Sequence, residues 1–371
     1  MTNQRLLSVF LLSVSAFPTL VHAQLSPNVT VWATGLNAPR GIRFGPDGYL
    51  YVAEAGLGGS VSTVGACEQV PAPVGPYLGG QTARISKIDS QANVSTVATG
   101  LPSTVDSMGD LMGVADLAFL DGSLYALVAG GGCSHGNPNL PNGIYKIDQT
   151  TGTWALFANL DSYLKTHPAK YENPADFEPD GSFYGMIVNN GTLLSVEPNH
   201  GQIFATDAQG NIEQALDVSA SQGHIVPTVL FAYKENLYLG NLDLFPINPT
   251  TSRLMTVSPF NCFNEQIPGL QAPSVTLNIV HSIAGFTTIV GLDIGPDGLV
   301  YVLELSDAAG YPTPGAGDVV RISATGQIET VATGLTLPTG MTFGPGGTLY
   351  VSNFGAYNSP GSGQILKVTV N

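Results

Sequence analysis

The chain has little charge of either sign and least of all positive charge. Only 11% of its 371 residues are charged, and 12 Lys and Arg stand against 27 Asp and Glu, for a net charge of -15. No nucleic acid or anionic membrane surface is therefore expected as a partner, because the long-range field repels phosphate. Cysteine is equally scarce. Cys67, Cys133 and Cys262 are the three present, and none forms a Cys-x-x-Cys pair, which argues against zinc-ribbon and thioredoxin-type centres. Gly-x-Ser-x-Gly, His-Glu-x-x-His, Gly-x-Gly-x-x-Gly and the phosphate loop are all missing. The common hydrolase, zinc and nucleotide chemistries lose weight accordingly.

Long apolar runs are confined to the N-terminus. Residues 1–23 read as a secretory signal peptide: Arg5, an apolar run from Leu6 to Phe17, then Val21-His22-Ala23 with small residues where a signal peptidase cuts. The run is too short to span a bilayer, and no later stretch approaches the roughly 18 apolar residues that a span needs. The expectation is a secreted protein, extracellular or periplasmic in a Gram-negative host, with no membrane span and with residues 24–371 as one domain.

What the chain does have is glycine (45) and proline (26), in keeping with many short strands joined by turns. It also repeats itself. Val31 to Leu36, Pro39 to Phe44, Gly45 to Gly48 and Leu50 to Val52 recur as Val331 to Leu335, Pro338 to Phe343, Gly344 to Gly347 and Leu349 to Val351. Each unit has four strands, a to d. Strand a opens on a small or polar residue, as in Gly41 to Phe44 and Gly340 to Phe343. Strand b follows a tight turn, as in Leu50 to Glu54 and Leu349 to Asn353. Strand c carries endings such as Ile85 to Asp89 and Ile365 to Thr369, and strand d is the Val/Thr-rich run after it, such as Val94 to Ala98. Alternating β-branched and aromatic residues at roughly 58 residues per unit predict an all-β fold, a six-bladed β-propeller of four-stranded antiparallel blades. The chain stops after a strand c and begins with an orphan strand d at Val29 to Ala33, so the N-terminal strand is expected to complete the last blade and close the ring.

The a-to-b and c-to-d turns of a propeller share one face, and the b-to-c and d-to-a loops share the other. The second class is long here: Ala55 to Thr82, Thr99 to Met112, Ala129 to Asn142, Asn159 to Phe183 and Leu305 to Gly317. Long loops on a rigid scaffold usually carry function. Cys67 and Cys133 fall in b-to-c loops of neighbouring units, which predicts a disulfide between them; Cys262 falls on the plain face, in the Ser258 to Thr276 connection.

Strand b ends on Glu54, Val128, Glu197, Asn241, Glu304 and Asn353 in turn. Such a ring of carboxylates and amides suits a polar ligand or hard cation; the competing and weightier reading is that each anchors a loop of its own unit. Arg40, Asp116 and Tyr184 stand at the channel mouth, where Asp116 is the single acid, which counts against a central catalytic metal. Four histidines, His135, His167, His200 and His224, lie in the long loops, and His224, entering strand a, is the best-placed general base. Calcium is a candidate for the acidic stretches Asp106, Asp110, Asp116 and Asp176, Glu178, Asp180, although Asx turns explain them at least as well.

Thr34-Gly35-Leu36, Pro39-Arg40-Gly41, Gly45-Pro46-Asp47-Gly48, Leu50 to Gly56, Gly65-Ala66-Cys67, the Tyr163 to Gly185 insertion, Leu239-Gly240-Asn241 with Phe245-Pro246, and Tyr301 to Glu304 together resemble the ScyD/ScyE family of secreted, NHL-like propellers. The resemblance spans nearly all of residues 24–371 and implies export and a six-bladed propeller; it supplies no reaction and no catalytic residue. The chain departs from that pattern in carrying one cysteine, not two, in the first long loop and Asn241 in place of Glu.

The leading expectation is a binding or scaffolding module that takes a small-molecule or protein ligand on its loop-rich face. The alternative is an enzyme, either a lactonase or esterase or a quinone-dependent sugar dehydrogenase, since propellers serve both. Convergence of His224, Arg40 and Glu54 or Glu304 in one central pocket would favour the enzyme.

Overall fold

The computed structural model describes residues 24–233, 236–258, 278–357 and 360–370. Residues 1–23, expected as a signal peptide, Cys262 and nearly all of the Ser258 to Thr276 connection lie outside the described residues.

The fold is a six-bladed β-propeller. Five sheets have four strands and the first blade has five. The six a strands, Pro39–Phe44, Val114–Leu120, Met186–Asn189, Pro227–Tyr233, Ile289–Ile294 and Gly340–Phe343, pack side by side in a closed circuit around the axis. Small residues at their starts follow from that crowding. A Cβ on Gly41 would sit 2.0 Å from Asp116 Oδ1, and one on Gly340 would sit 2.6 Å from the Arg40 carbonyl. Strand b is sandwiched between neighbouring blades, so every residue of Leu50–Glu54, Thr192–Glu197 and Leu349–Asn353 is buried. Strand d forms the rim and is only partly buried: in Val29–Leu36 four residues are exposed, and in Ile328–Leu335 the first three are.

The ring closes as expected. Val29–Leu36 pairs antiparallel with Gly363–Val368, from Val29 opposite Val368 to Leu36 opposite Gly363. Asn28 strengthens the seam by donating its side-chain amide to the carbonyls of Val331 and Thr369, both at 3.0 Å. The Gly-Pro-Asp-Gly turns also have a shared role: Asp47 Oδ2 accepts from the Tyr51 hydroxyl and Asp297 Oδ2 from that of Tyr301, each at 2.9 Å, tying the turn to strand b.

The first blade departs from the expected pattern. Its strand c begins at Leu78 and its strand d runs to Val105, so most of the expected Thr99 to Met112 loop is strand. Register shifts between Gly80 and Arg84 bend this hairpin, and Leu111–Met112 adds a short fifth strand against Thr104 and Val105. The Asn159 to Phe183 insertion contains a helix, Leu160–Thr166, whose start is capped by Asn159 Oδ1 accepting from the Ser162 amide at 2.9 Å.

Candidate functional site

The polar residues that end strand b are engaged inside their own blades. Glu54 accepts from the Asn37 amide (2.6 Å), from Arg84 Nε (2.7 Å) and from Ser86 Oγ. Glu197 accepts from the amides of Ser182 (2.9 Å) and His200 (2.6 Å) and pairs with His200 Nδ1 at 3.1 Å. Asn241 donates to the Ile225 carbonyl at 2.9 Å, Glu304 accepts from the Thr287 amide at 2.7 Å, and Asn353 accepts from the Thr336 amide at 2.7 Å. Each partner residue Asn37, Ser182, Ile225, Thr287 and Thr336 lies in the connection that enters strand a.

In four blades the next residue is non-glycine and has positive φ: Ala38 at 49°, Val226 at 55°, Thr288 at 49° and Leu337 at 47°. Such a conformation costs on the order of 1–3 kcal/mol and persists only where its surroundings over-determine it. Here they do. The carbonyls of Ala38, Val226, Thr288 and Leu337 accept from the amides of Ala55, Leu242, Leu305 and Gly355, just beyond strand b, at 2.8–3.0 Å. Side chain and backbone together form a corner clamp. Blade 2 has the apolar Val128 instead, and Gly113 occupies its corner, accepting from the Ala129 amide at 2.7 Å.

The central channel is narrow, with a cavity of about 60 Å³ among the a strands; of the candidate residues, Asp116 and Tyr184 line it. Asp116 Oδ2 accepts from the Met186 amide of the next blade at 2.8 Å, and Arg43 Nη2 lies 3.9 Å away, donating to the Met186 carbonyl at 3.2 Å. Burial raises the Asp116 pKa despite Arg43 and the two amides it accepts from. Asp293 Oδ2 makes the same inter-blade bond to the Phe343 amide at 2.8 Å, and burial raises its pKa too. The Tyr184 hydroxyl donates to the Thr339 carbonyl at 3.0 Å. Arg40 is buried, donates to the Leu111 carbonyl and pairs with Asp110 at 3.3 Å. The contacts of His224, Arg40, Glu54 and Glu304 go to separate partners, so these four do not form one hydrogen-bonded group.

A larger cleft, about 330 Å³, opens among the long loops and is lined by Lys165, Glu172, Phe177, Asp180, His200 and both bridged cysteines. The expected Cys67–Cys133 disulfide is present, with Cα atoms 6.3 Å apart, and it joins the b-to-c loops of blades 1 and 2. Behind the cleft the acidic run of the insertion is divided among separate partners. Asp176 pairs with His224 Nε2 at 2.7 Å. Glu178 takes His135 Nε2 at 3.0 Å and the Tyr77 hydroxyl at 2.9 Å. Asp180 takes the Ser134 amide and hydroxyl at 2.5 and 2.6 Å, and Lys165 Nζ at 2.5 Å; Lys165 also reaches Asp161 at 2.6 Å.

These pairings set the local charge. Burial opposes a charge on His135, but Glu178, the Gly131 carbonyl and Asp180 outweigh it and raise the imidazole pKa. His200 behaves alike: burial is outweighed by Glu197, whose own pKa falls because His200 and the Ser182 and His200 amides overcome its burial. Lys165 and Ser134 hold Asp180 low against the burial that would raise it, whereas burial lifts Asp161 to about 6. Among the described residues no group of three or more His, Cys, Asp and Glu is placed to share one metal ion. Asp106 closes an Asx turn onto the amides of Met108 and Asp110 at 2.8 and 2.7 Å.

Sequence reasoning singled out the histidines and acids of this network but missed Lys165, Asp161, Ser134 and Tyr77. The available signal was Asp176, Glu178 and Asp180 at alternate positions, of which Asp176 meets His224 and Glu178 meets His135.

No protein-family model matches the chain, and no curated protein matches its sequence. Solved propellers do resemble it in fold. An auxiliary nutrient binding protein from Bacteroides thetaiotaomicron is 11% identical over 93% of this chain and 76% of its own, with a TM-score of 0.53. The PQQ-bound aldose sugar dehydrogenase of Streptomyces coelicolor is 14% identical over 94% and 99%, with a TM-score of 0.52. A putative gluconolactonase is 13% identical over 92% of each chain, with a TM-score of 0.50.

Proposed function

We propose that the protein is an exported binding propeller of the ScyD/ScyE type and that it takes a small polar molecule in the cleft between the disulfide-bridged loops and the Asn159 to Phe183 insertion. The size contrast carries this reading. A cavity of about 330 Å³ is of the size that small-molecule sites occupy, and the channel, at about 60 Å³, has room for little more than water. The cleft walls are also held in place before any ligand arrives. Asp180 is pinned by three donors, Glu197 fixes His200, and the disulfide fixes the opposite wall. Lys165 and Glu172 offer charge of both signs, and Phe177 offers an apolar face. The likeness in fold to a nutrient-binding propeller is in keeping with a binding role.

The test is a thermal-shift screen of sugars, amino acids and small organic acids against the native protein and two variants. Glu172→Trp fills the cleft from its exposed rim, and Phe231→Trp fills the channel. A compound that raises Tm in the native protein and in Phe231→Trp but not in Glu172→Trp supports the cleft. The opposite pattern moves the site to the channel and revives the enzyme reading.

A further inference from the structure

The corner clamps differ in what faces them on strand c. Opposite Glu54 stands Arg84, opposite Glu197 stands Gln202, and opposite Asn353 stands Gln364; opposite Glu304 stands Asp318. Blade 5 therefore sets two carboxyl groups against each other where the other three offer a cation or an amide. Both are buried, with 5% of Glu304 and 8% of Asp318 exposed, and Asp318 Oδ1 has no hydrogen-bond partner.

Among the described residues no base is paired with them. The further charge that acts on both, Asp307 in the loop after strand b, is also acidic. On strand a, Asp293 is held by the Ile294 and Phe343 amides. At the far end of the sheet Arg321 pairs with Asp297 and with Glu329 of strand d. Two buried, adjacent carboxylates cannot both remain ionised without large repulsion, whereas one proton between them turns repulsion into a hydrogen bond.

We propose that Glu304 and Asp318 share one proton at neutral pH, and that its loss in mildly alkaline solution loosens the Thr287–Thr288 corner and the loop 305–316. In blade 1 the Arg84 guanidinium supplies permanently the positive charge that this proton supplies conditionally. The electrostatics agree: burial, then mutual repulsion with Asp307, lifts Glu304 to about 7, and burial, then repulsion from Glu304 and Asp307, lifts Asp318 to about 9.

The sign follows. The folded pair binds more protons than the unfolded chain from about pH 4 upward, so its contribution is complete below that pH and fades as pH rises to about 9. The device reaches the surface, because Ile247 and Gly310 exchange backbone hydrogen bonds and Tyr311, 60% exposed, lies 6.4 Å from the ring of Phe245. Alkaline pH thus acts on an exposed aromatic pair of the loop-rich face.

The test follows Tm from pH 5 to 9 in the native protein, Asp318→Asn and Glu304→Gln, each with EDTA and with calcium chloride. It is joined by hydrogen exchange of peptides spanning 286–290 and 304–318, corrected for the intrinsic pH dependence. The native protein is expected to lose Tm more steeply above pH 7 than either amide variant, and Asp318→Asn to exceed it by about 2–4 °C at pH 9. Faster corrected exchange of the two native segments at pH 9 should disappear in Asp318→Asn. Parallel pH profiles in all three proteins overturn the proposal. A calcium-dependent Tm rise in the native protein that is absent from Asp318→Asn also overturns it, and marks the pair as a cation site instead. Should one amide variant fail to fold, the native exchange profile and the other variant decide.

Discussion

Blades 1 and 5 use the same carboxylate for the same task and differ in one cross-strand neighbour. Glu54 holds the Asn37–Ala38 corner with Arg84 at 2.7 Å, and Glu304 holds the Thr287–Thr288 corner with Asp318 opposite. A glutamate at the end of strand b is therefore a structural part whose electrostatic character is set by strand c. One blade meets its carboxylate with a guanidinium, and the other meets it with a second carboxyl group.

The largest effect should come from breaking the balanced blade. Arg84→Met leaves Glu54, which is fully buried, without its cation, and is expected to lose about 3 kcal/mol in urea unfolding at pH 7. A loss below about 1 kcal/mol would mean that Ser86 and the Asn37 amide suffice, and that strand c matters less than argued. Converting the odd blade comes next: Asp318→Arg should flatten the alkaline limb of the Tm profile and gain about 1–2 kcal/mol at pH 8. A variant as pH-sensitive as the native protein would remove the contrast between the blades. Asn353→Ala removes the amide that holds Thr336 while Leu337 stays at positive φ, and should cost about 1–2 kcal/mol. Smallest is the turn contact. Asp47→Asn and Asp297→Asn keep the turn but weaken its bond to the tyrosine of strand b, each by about 0.5–1 kcal/mol, and equal losses in the two blades would show that they differ at the clamp and not at the plain face.

Much of this architecture is legible in the sequence because it repeats. The copied turn at Gly45 to Gly48, the strand-b endings and the orphan Val29 to Ala33 strand together give six blades and a closed ring, and assigning loops to faces is enough to pair Cys67 with Cys133. The clamp is half legible. Sequence offers Glu54 and Glu304 as either a ligand ring or loop anchors, and only coordinates show that their partners are the residues entering strand a. The cross-strand neighbours are harder still, since Glu54 and Arg84 are separated by a loop whose length no rule sets, and bulges beside Arg84 shift the register. The cleft was beyond reach for a related reason. Its walls come from unrepeated insertions, where Lys165, Ser134 and Asp180 meet through a helix and a bridged loop that leave no periodic trace.

The seam between Val29–Leu36 and Gly363–Val368 has a consequence for how the molecule is made. These partners lie more than 300 positions apart, so the earlier strand must stay single until the later one has been synthesised. Throughout that interval it is an unpaired edge open to foreign strands, and the ring behaves like a belt whose buckle is the final operation. Maturation should therefore be sensitive to whatever shields that edge in the meantime, and a permuted chain opened between Gln222 and Gly223, in the connection between two blades, has the strands of every blade consecutive and should assemble faster and aggregate less.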